Sequence, residues 1–267
     1  MKFRKLHGAG NDFVVLDSNR TPQRDWPGLA KEICHRHKGA GADGLVITSL
    51  ASTDPAVIEV ACFNADGSMA TMCGNALRCA AWCAEQDHGL KKMTLNMAGV
   101  GHEAIIADDG IWVTADVGAV EMRRLTAMHN GRPFHFDAAH TGTEHVVAVI
   151  SDLETIDTEV VGRLVRHHPR LAPLGTNVNF VQGVGRHALR IRTYERGVEA
   201  ETLSCGSGAV AAVAVATQRG VISVGEVTVH NRAGTPLRVR PHDEHPGRRF
   251  WIGGPVNKSY EGKGDWS

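Results

Sequence analysis

Two stretches of this chain are apolar on nearly every face of a helix. One follows Cys73 and carries Ala76, Leu77, Cys79, Ala80, Ala81, Trp82 and Cys83; the other follows Cys205 as an Ala/Val segment that runs to Arg219, with Gly220 placed as a C-cap. A helix without a polar stripe belongs in an interior, so the pattern predicts two central helices, each wrapped by strands of its own half. Runs suited to strands fall at 2–6, 13–17, 45–48, 57–64, 93–95, 102–107 and 111–116, with turns at Gly89 and Gly110. The second half opens at 119–124 and continues with strands over 132–137, 146–150, 188–194, 226–230, 237–240 and 249–252. Helices are predicted over 26–37 and 152–168, the latter with acidic residues in its first turns and Arg166, His167 and His168 near its end, as the dipole prefers. The polar tail over 260–267 is expected to fray.

The two halves repeat one another. FNADGSMATMCGNALRCAAWC ends on the first apolar helix and TYERGVEAETLSCGSGAVAAVAVATQRG on the second, each with an acidic, polar turn before a cysteine and glycine after it. Gly10-Asn11-Asp12-Phe13-Val14-Val15 matches Gly142-Thr143-Glu144-His145-Val146-Val147, and Asn11 precedes Cys73 by the same 62 residues as Thr143 precedes Cys205. Asp43 in ADGLV pairs with Asn177 in TNVNFV, at 30 and 28 residues before the cysteines. An internal duplication follows: a mixed α/β fold of two pseudo-symmetric domains, 1–118 carrying Cys73 and 119–267 carrying Cys205, with the last strand free to pack on the other half. Two such halves facing each other would bring two thiols to either side of one cleft.

Composition narrows the function. A chain of 267 residues, 42% hydrophobic, suits two domains better than one. Its 29 basic and 29 acidic side chains cancel, which argues against nucleic acid or an anionic membrane as partner. No apolar leader and no window of roughly 18 apolar residues appear. Six cysteines without a C-x-x-C pair predict reduced thiols and a cytoplasmic location. Gly39 to Gly44 spell G-x-G-x-x-G, but a helix precedes and a strand follows, the reverse of a dinucleotide site, so no nicotinamide cofactor is expected. The spacing of Cys73, Cys79 and Cys83 fits no zinc site, H-E-x-x-H is absent, and the 15 histidines read mostly as solvated, so no metal is expected. No G-x-S-x-G elbow is present, and a cysteine-protease arrangement would use one nucleophile and leave Cys73 unexplained.

A thiol at a helix N-terminus feels the positive end of the macrodipole and ionises more easily. Two such thiols without a cofactor suit inversion at a carbon acid: a thiolate removes a proton from one face while a thiol delivers one to the other. Reversibility makes the two swap roles, which a duplicated fold supplies, and the pair titrates as a coupled unit. The N–H groups of Gly74 and Asn75, and of Gly206 and Ser207, are placed to hold a carboxylate and the charge that develops on it. His145 lies in the duplicated turn, where it either tunes a thiol or makes an ordinary hydrogen bond.

The segments HGAGNDFVVLD, GAGADGLV, FNADGSMATMCGN, GTNVNFV, YERGVEAETLSCGSGA and GGPVNKSYEG resemble, in that order and across essentially the whole chain, the diaminopimelate epimerase family. The resemblance implies a pyridoxal-independent epimerase that interconverts LL- and meso-diaminopimelate for lysine and peptidoglycan, as a homodimer. It implies Cys73 and Cys205 as acid and base, and His145 as the histidine that tunes them. Substrate contacts carry over to Asn11, Asn64, Asn177, Glu195 and Arg196, with Glu195 also a supporting group, and carboxylate binding to Gly74, Asn75, Gly206 and Ser207. Arg196 can grip a distal carboxylate in bidentate fashion. The chain departs from many members at Thr143, where a hydroxyl replaces an asparagine amide. One hydrogen bond to a substrate is worth about 1 kcal/mol, or roughly 1.5–3 if charged, too little to exclude diaminopimelate. Rival readings are a racemase for another amino acid, such as histidine, on the same scaffold, and a non-catalytic amino-acid-binding protein, against which both intact cysteines argue.

Overall fold

In the computed structural model of the protein, residues 1–21 and 25–266 are described. The chain forms two compact units, Met1–Thr114 together with Gly253–Ser267, and Ala115–Ile252. The division lies four residues before the one expected near Gly118, and the last strand belongs to the first unit, the packing that the sequence left open.

In the first unit the elements are β1 (Lys2–Gly8), β2 (Asn11–Asp17), α1 (Trp26–Ile33), β3 (Gly44–Thr53), β4 (Ala56–Asn64), α2 (Gly74–His88), β5 (Lys92–Met97), β6 (Val100–Ala107) and β7 (Gly110–Asp116). Strands β1–β2, β3–β4, β5–β6 and β6–β7 pair antiparallel, whereas β2–β3 and β4–β5 are parallel and are bridged by α1 and α2. The second unit begins with β8 (Glu121–His129), β9 (Arg132–His140) and β10 (Glu144–Val149), then α3 (Thr158–Arg166), β11 (Asn177–Gly185), β12 (Ala188–Glu195) and β13 (Ala200–Thr202). It continues through α4 (Gly206–Gln218), β14 (Val227–His230), β15 (Leu237–Pro241) and β16 (Arg249–Gly254). Here β9–β10, β11–β12 and β14–β15 are antiparallel, and β10–β11 and β12–β14 are parallel. The second unit therefore repeats the order of the first, with β9 in the place of β1 and α4 in that of α2.

Register makes the correspondence residue by residue. Phe13 pairs with Gly44 where His145 pairs with Asn177, so Gly44, and not Asp43, is the counterpart of Asn177. Gly44 lies opposite Asn64, and the pairing of Val178 with Tyr194 sets Asn177 beside Glu195. Asn64 and Glu195 are thus equivalents. The turns before β2 and β10 both need a left-handed glycine, Gly10 at φ +86° and Gly142 at φ +78°.

Both apolar helices are central to their units. Helix α2 packs on β1 to β6 and α4 on β9 to β12 and β15, and both are buried through most of their length. Three expectations differ from what is observed. Helix α1 stops at Ile33 because the chain folds back, Gly41 and Ala42 donating to the carbonyls of Ile33 and Cys34. The helix expected over 152–168 is a 3₁₀ turn, Leu153–Thr155, followed by α3, because Asp152 and Asp157 each cap a separate start. The tail is not frayed through its described length: β17 (Asn257–Lys263) pairs antiparallel with β1, and Tyr260 and Trp266 meet the Phe3 ring edge-on at 5.9 and 5.5 Å. Among the described residues no helix is long and apolar enough to cross a membrane.

Candidate active site

In the first unit Cys73 is the N-cap of α2, with extended backbone at φ −149° and ψ 103°. Its Sγ lies 4.0 Å from Asn11 Oδ1, at the start of β2. That oxygen also accepts from Asn75 Nδ2 at 3.2 Å, and Asn75 Oδ1 accepts from Arg78 Nη2 at 2.7 Å. Asn11 Nδ2 donates to Asp43 Oδ2 at 2.9 Å. Asn64 ends β4, its Nδ2 donating to Ser68 Oγ at 2.9 Å.

Arg78 was not legible as part of this network. It is fully buried, and its Nε and Nη1 find no hydrogen-bond partner among the described residues. Burial pulls its guanidinium down to about 10. In the sequence it is the one charged side chain between Ala76 and Cys83. Cys62, on β4, is hydrogen-bonded to Cys73 and its thiol is pushed well up by that bond and by burial.

In the second unit Cys205 is the N-cap of α4, and its Sγ accepts from Gly208 N at 3.4 Å. Ser207 Oγ lies 3.4 Å from the same sulfur and 3.0 Å from His145 Nε2. His145 sits on β10 and is only 1% exposed; burial, reinforced by the charges of Arg196 and His140, pushes it down to about 3. It reaches Cys205 through the Ser207 hydroxyl.

A second cluster gathers the residues read as substrate contacts. Asn177 Nδ2 donates to Glu144 O at 3.1 Å, and its Oδ1 accepts from Arg196 N at 2.9 Å. Arg196 Nη2 donates to Thr143 Oγ1 at 2.8 Å, so the hydroxyl that stands in place of an amide orients the guanidinium. Glu195 Oε2 accepts from Thr202 Oγ1 at 2.8 Å. All six cysteines are free thiols.

His145 gives stability a pH dependence. An unfolded histidine binds a proton near pH 6.5, while the folded one stays neutral down to about 3. The unfolded state therefore holds more protons in this window, and stability is complete above 6.5 and falls with pH below it, by up to about 1.4 kcal/mol per unit. Denaturant unfolding between pH 5 and about 6.5 should show this slope, and His145→Gln should remove it. Equal slopes in the two proteins would contradict this account.

Comparison with known proteins converges on one family. The family model described as diaminopimelate epimerase matches residues 3–123 and 138–256. The diaminopimelate epimerase of Methanocella arvoryzae is 37% identical over 280 residues, covering 99% of this chain and 97% of that protein. That of Aquifex aeolicus is 35% identical over 276 residues, covering 98% and 97%. Among solved structures, a probable proline racemase from Agrobacterium radiobacter superposes with a TM-score of 0.75 at 15% identity, over 100% of this chain and 93% of that one. A hydroxyproline epimerase from Agrobacterium vitis gives 0.72 at 15% identity, over 98% and 91%. At such identity these two bear on the fold alone. The duplicated units, each with a cysteine capping its central helix, and a match spanning almost the whole sequence place this chain in the diaminopimelate epimerase family, as an isomerase.

Proposed function

We propose that this epimerase interconverts LL- and meso-diaminopimelate without a cofactor, serving lysine and peptidoglycan synthesis, with Cys73 and Cys205 as its two proton-transfer groups. The observation that carries the reading is that the two cysteines occupy the same position, the N-cap of the central helix, in both repeats. Inversion requires one group for each face of the α-carbon. One sulfur takes the α-proton as the C–H electron pair moves into the carboxylate; the other gives its S–H proton to the opposite face, and the charges return with thiol and thiolate exchanged. The first N–H groups of a helix have no partner within it. Those of Gly74, Asn75, Gly206 and Ser207 suit the carboxylate and the enediolate-like charge upon it. Substrate contacts fall to Asn11, Asn64, Thr143, Asn177, Glu195 and Arg196, of which Asn64, Thr143, Asn177 and Arg196 suit its distal end.

The test is α-proton exchange in D₂O with reduced protein and no added cofactor, on diaminopimelate, lysine, histidine and glutamate separately. Exchange and epimerisation confined to diaminopimelate support the reading; exchange on another amino acid moves the substrate, and none on any removes the activity. Arg196→Lys loses the fork that Thr143 orients, and should raise KM for diaminopimelate about 10- to 100-fold with a smaller change in kcat. An unaltered KM would show that Arg196 does not hold the substrate.

A further inference from the structure

Behind Cys205 lies a polar chain that the duplication does not repeat. His145 Nδ1 lies 3.1 Å from Asn179 Nδ2, on β11, and the same amide nitrogen donates to Val146 O at 3.0 Å. Asn179 Oδ1 accepts from Thr193 Oγ1 at 3.0 Å. The carbonyl of Val146 can only accept, so the amide cannot be turned the other way, and the nitrogen must face the imidazole. Nδ1 is therefore the acceptor of a neutral ring, and the proton resides on Nε2, aimed at Ser207 Oγ. Having accepted there, the hydroxyl has its own hydrogen for the Cys205 sulfur, which also accepts from Gly208 N–H. Gly208 is required by this packing, since a Cβ would come within 2.6 Å of Asn179 Oδ1.

By register, the counterparts of His145, Asn179, Thr193 and Ser207 in the first unit are Phe13, Val46, Cys62 and Asn75. None of these repeats the His–Asn–Ser chain, but Cys62, whose thiol is pushed well up, is hydrogen-bonded to Cys73. Cys73 is also approached by an acceptor, Asn11 Oδ1, whose orientation is fixed because Asn11 Nδ2 is held by the Asp43 carboxylate. An acceptor favours the thiol, and donors favour the thiolate.

We propose that Asn179 is a positioning residue for the reaction: by holding His145 as the Nε2–H tautomer it turns the Ser207 hydroxyl onto Cys205 and stabilises the Cys205 thiolate. The inference rests on the two-cysteine reading above. Other charged groups act on the two sites. Arg196 and His140 reach His145 in the second unit, where Glu195 lies on neighbouring β12. In the first, Asp43 is flanked by Arg36 and Asp12, and Asp12 by Lys5. Arg78, buried in α2, and the Cys62 thiol both act at Cys73 and favour an anion there.

The experiment is a titration of ultraviolet thiolate absorbance in Cys73→Ser and Cys73→Ser/Cys205→Ser proteins, without substrate. The other four thiols are silent below about pH 9: burial pushes Cys34 up to about 12 and Cys83 to about 11 and raises Cys79, while Cys62 is raised by its bond to Cys73 and by burial, the second of which persists in Cys73→Ser. Cys73→Ser should show a transition below about pH 7.5, that of Cys205, absent from Cys73→Ser/Cys205→Ser. Asn179→Leu in the Cys73→Ser background should move the Cys205 transition up by at least about one unit. Nitrogen-15 NMR of the unsubstituted protein reads the His145 tautomer whatever the fate of that variant, and should find the proton on Nε2. No Cys205 transition below about pH 8.5, a folded Asn179→Leu protein with an unmoved transition, or a proton on Nδ1 would each overturn the proposal. Because no substrate is involved, absence of epimerisation beside a low Cys205 transition would sink the function and leave this assignment standing.

Discussion

Replacing Cys73 or Cys205 by alanine is expected to lower epimerisation of diaminopimelate at least about a thousandfold, equivalent to about 4 kcal/mol of barrier. Each variant removes one of two proton-transfer groups. The remaining thiol can then act on one face only, and inversion needs both. The double variant should be scarcely slower than either single one, since groups that act as a unit are not additive. Cys79→Ala is the control, because Cys79 is wholly buried in α2 and its thiol is pushed up by burial. Epimerisation rates from either direction decide the matter. A Cys205→Ala enzyme within tenfold of the parent would remove Cys205 from the chemistry.

Asp137→Ala is expected to cost about 3–5 kcal/mol of stability, the largest loss from one substitution outside the apolar core. Asp137 lies on β9 with no exposure, and receives Arg219 Nη2 and Arg123 N, both at 2.7 Å, as well as Arg219 Nε. Arg219 is the C-cap of α4. The pair thus fastens to β9 the far end of the helix whose near end carries Cys205. Removing the carboxylate strands a guanidinium and a backbone N–H at once. Replacing both partners by leucine should cost less than Asp137→Ala alone, because no charge is then left unpaired. Denaturant unfolding checks both, and a loss below about 1 kcal/mol for Asp137→Ala would show the pair to be solvated in effect.

What could be seen in advance followed from local pattern. The two stripe-free helices, the equal intervals from Asn11 and Thr143 to their cysteines, and the glycine turns before β2 and β10 are all visible in order of residues. They were enough for the duplicated α/β architecture. Pairing register was not visible, which is why Asp43 was matched to Asn177 in place of Gly44. The division of 152–168 was available in principle, since Asp157 followed by Thr158 and Glu159 is a helix start. Asn179 was also within reach: it stands two residues after Asn177 in an apolar strand, and alternation puts the two on one face. Arg78 was harder, because nothing local distinguishes a buried cation from one whose chain snorkels to water.

The return of β17 to β1 bears on how the molecule comes into being. Lys2 finds its partner in Lys263, so a strand that precedes the whole second unit must wait for one that follows it. The second unit, continuous from Ala115 to Ile252, meets no such delay. The repeat that carries Cys205 is closed by one continuous segment, whereas the repeat that carries Cys73 borrows an edge strand that follows the whole of the other.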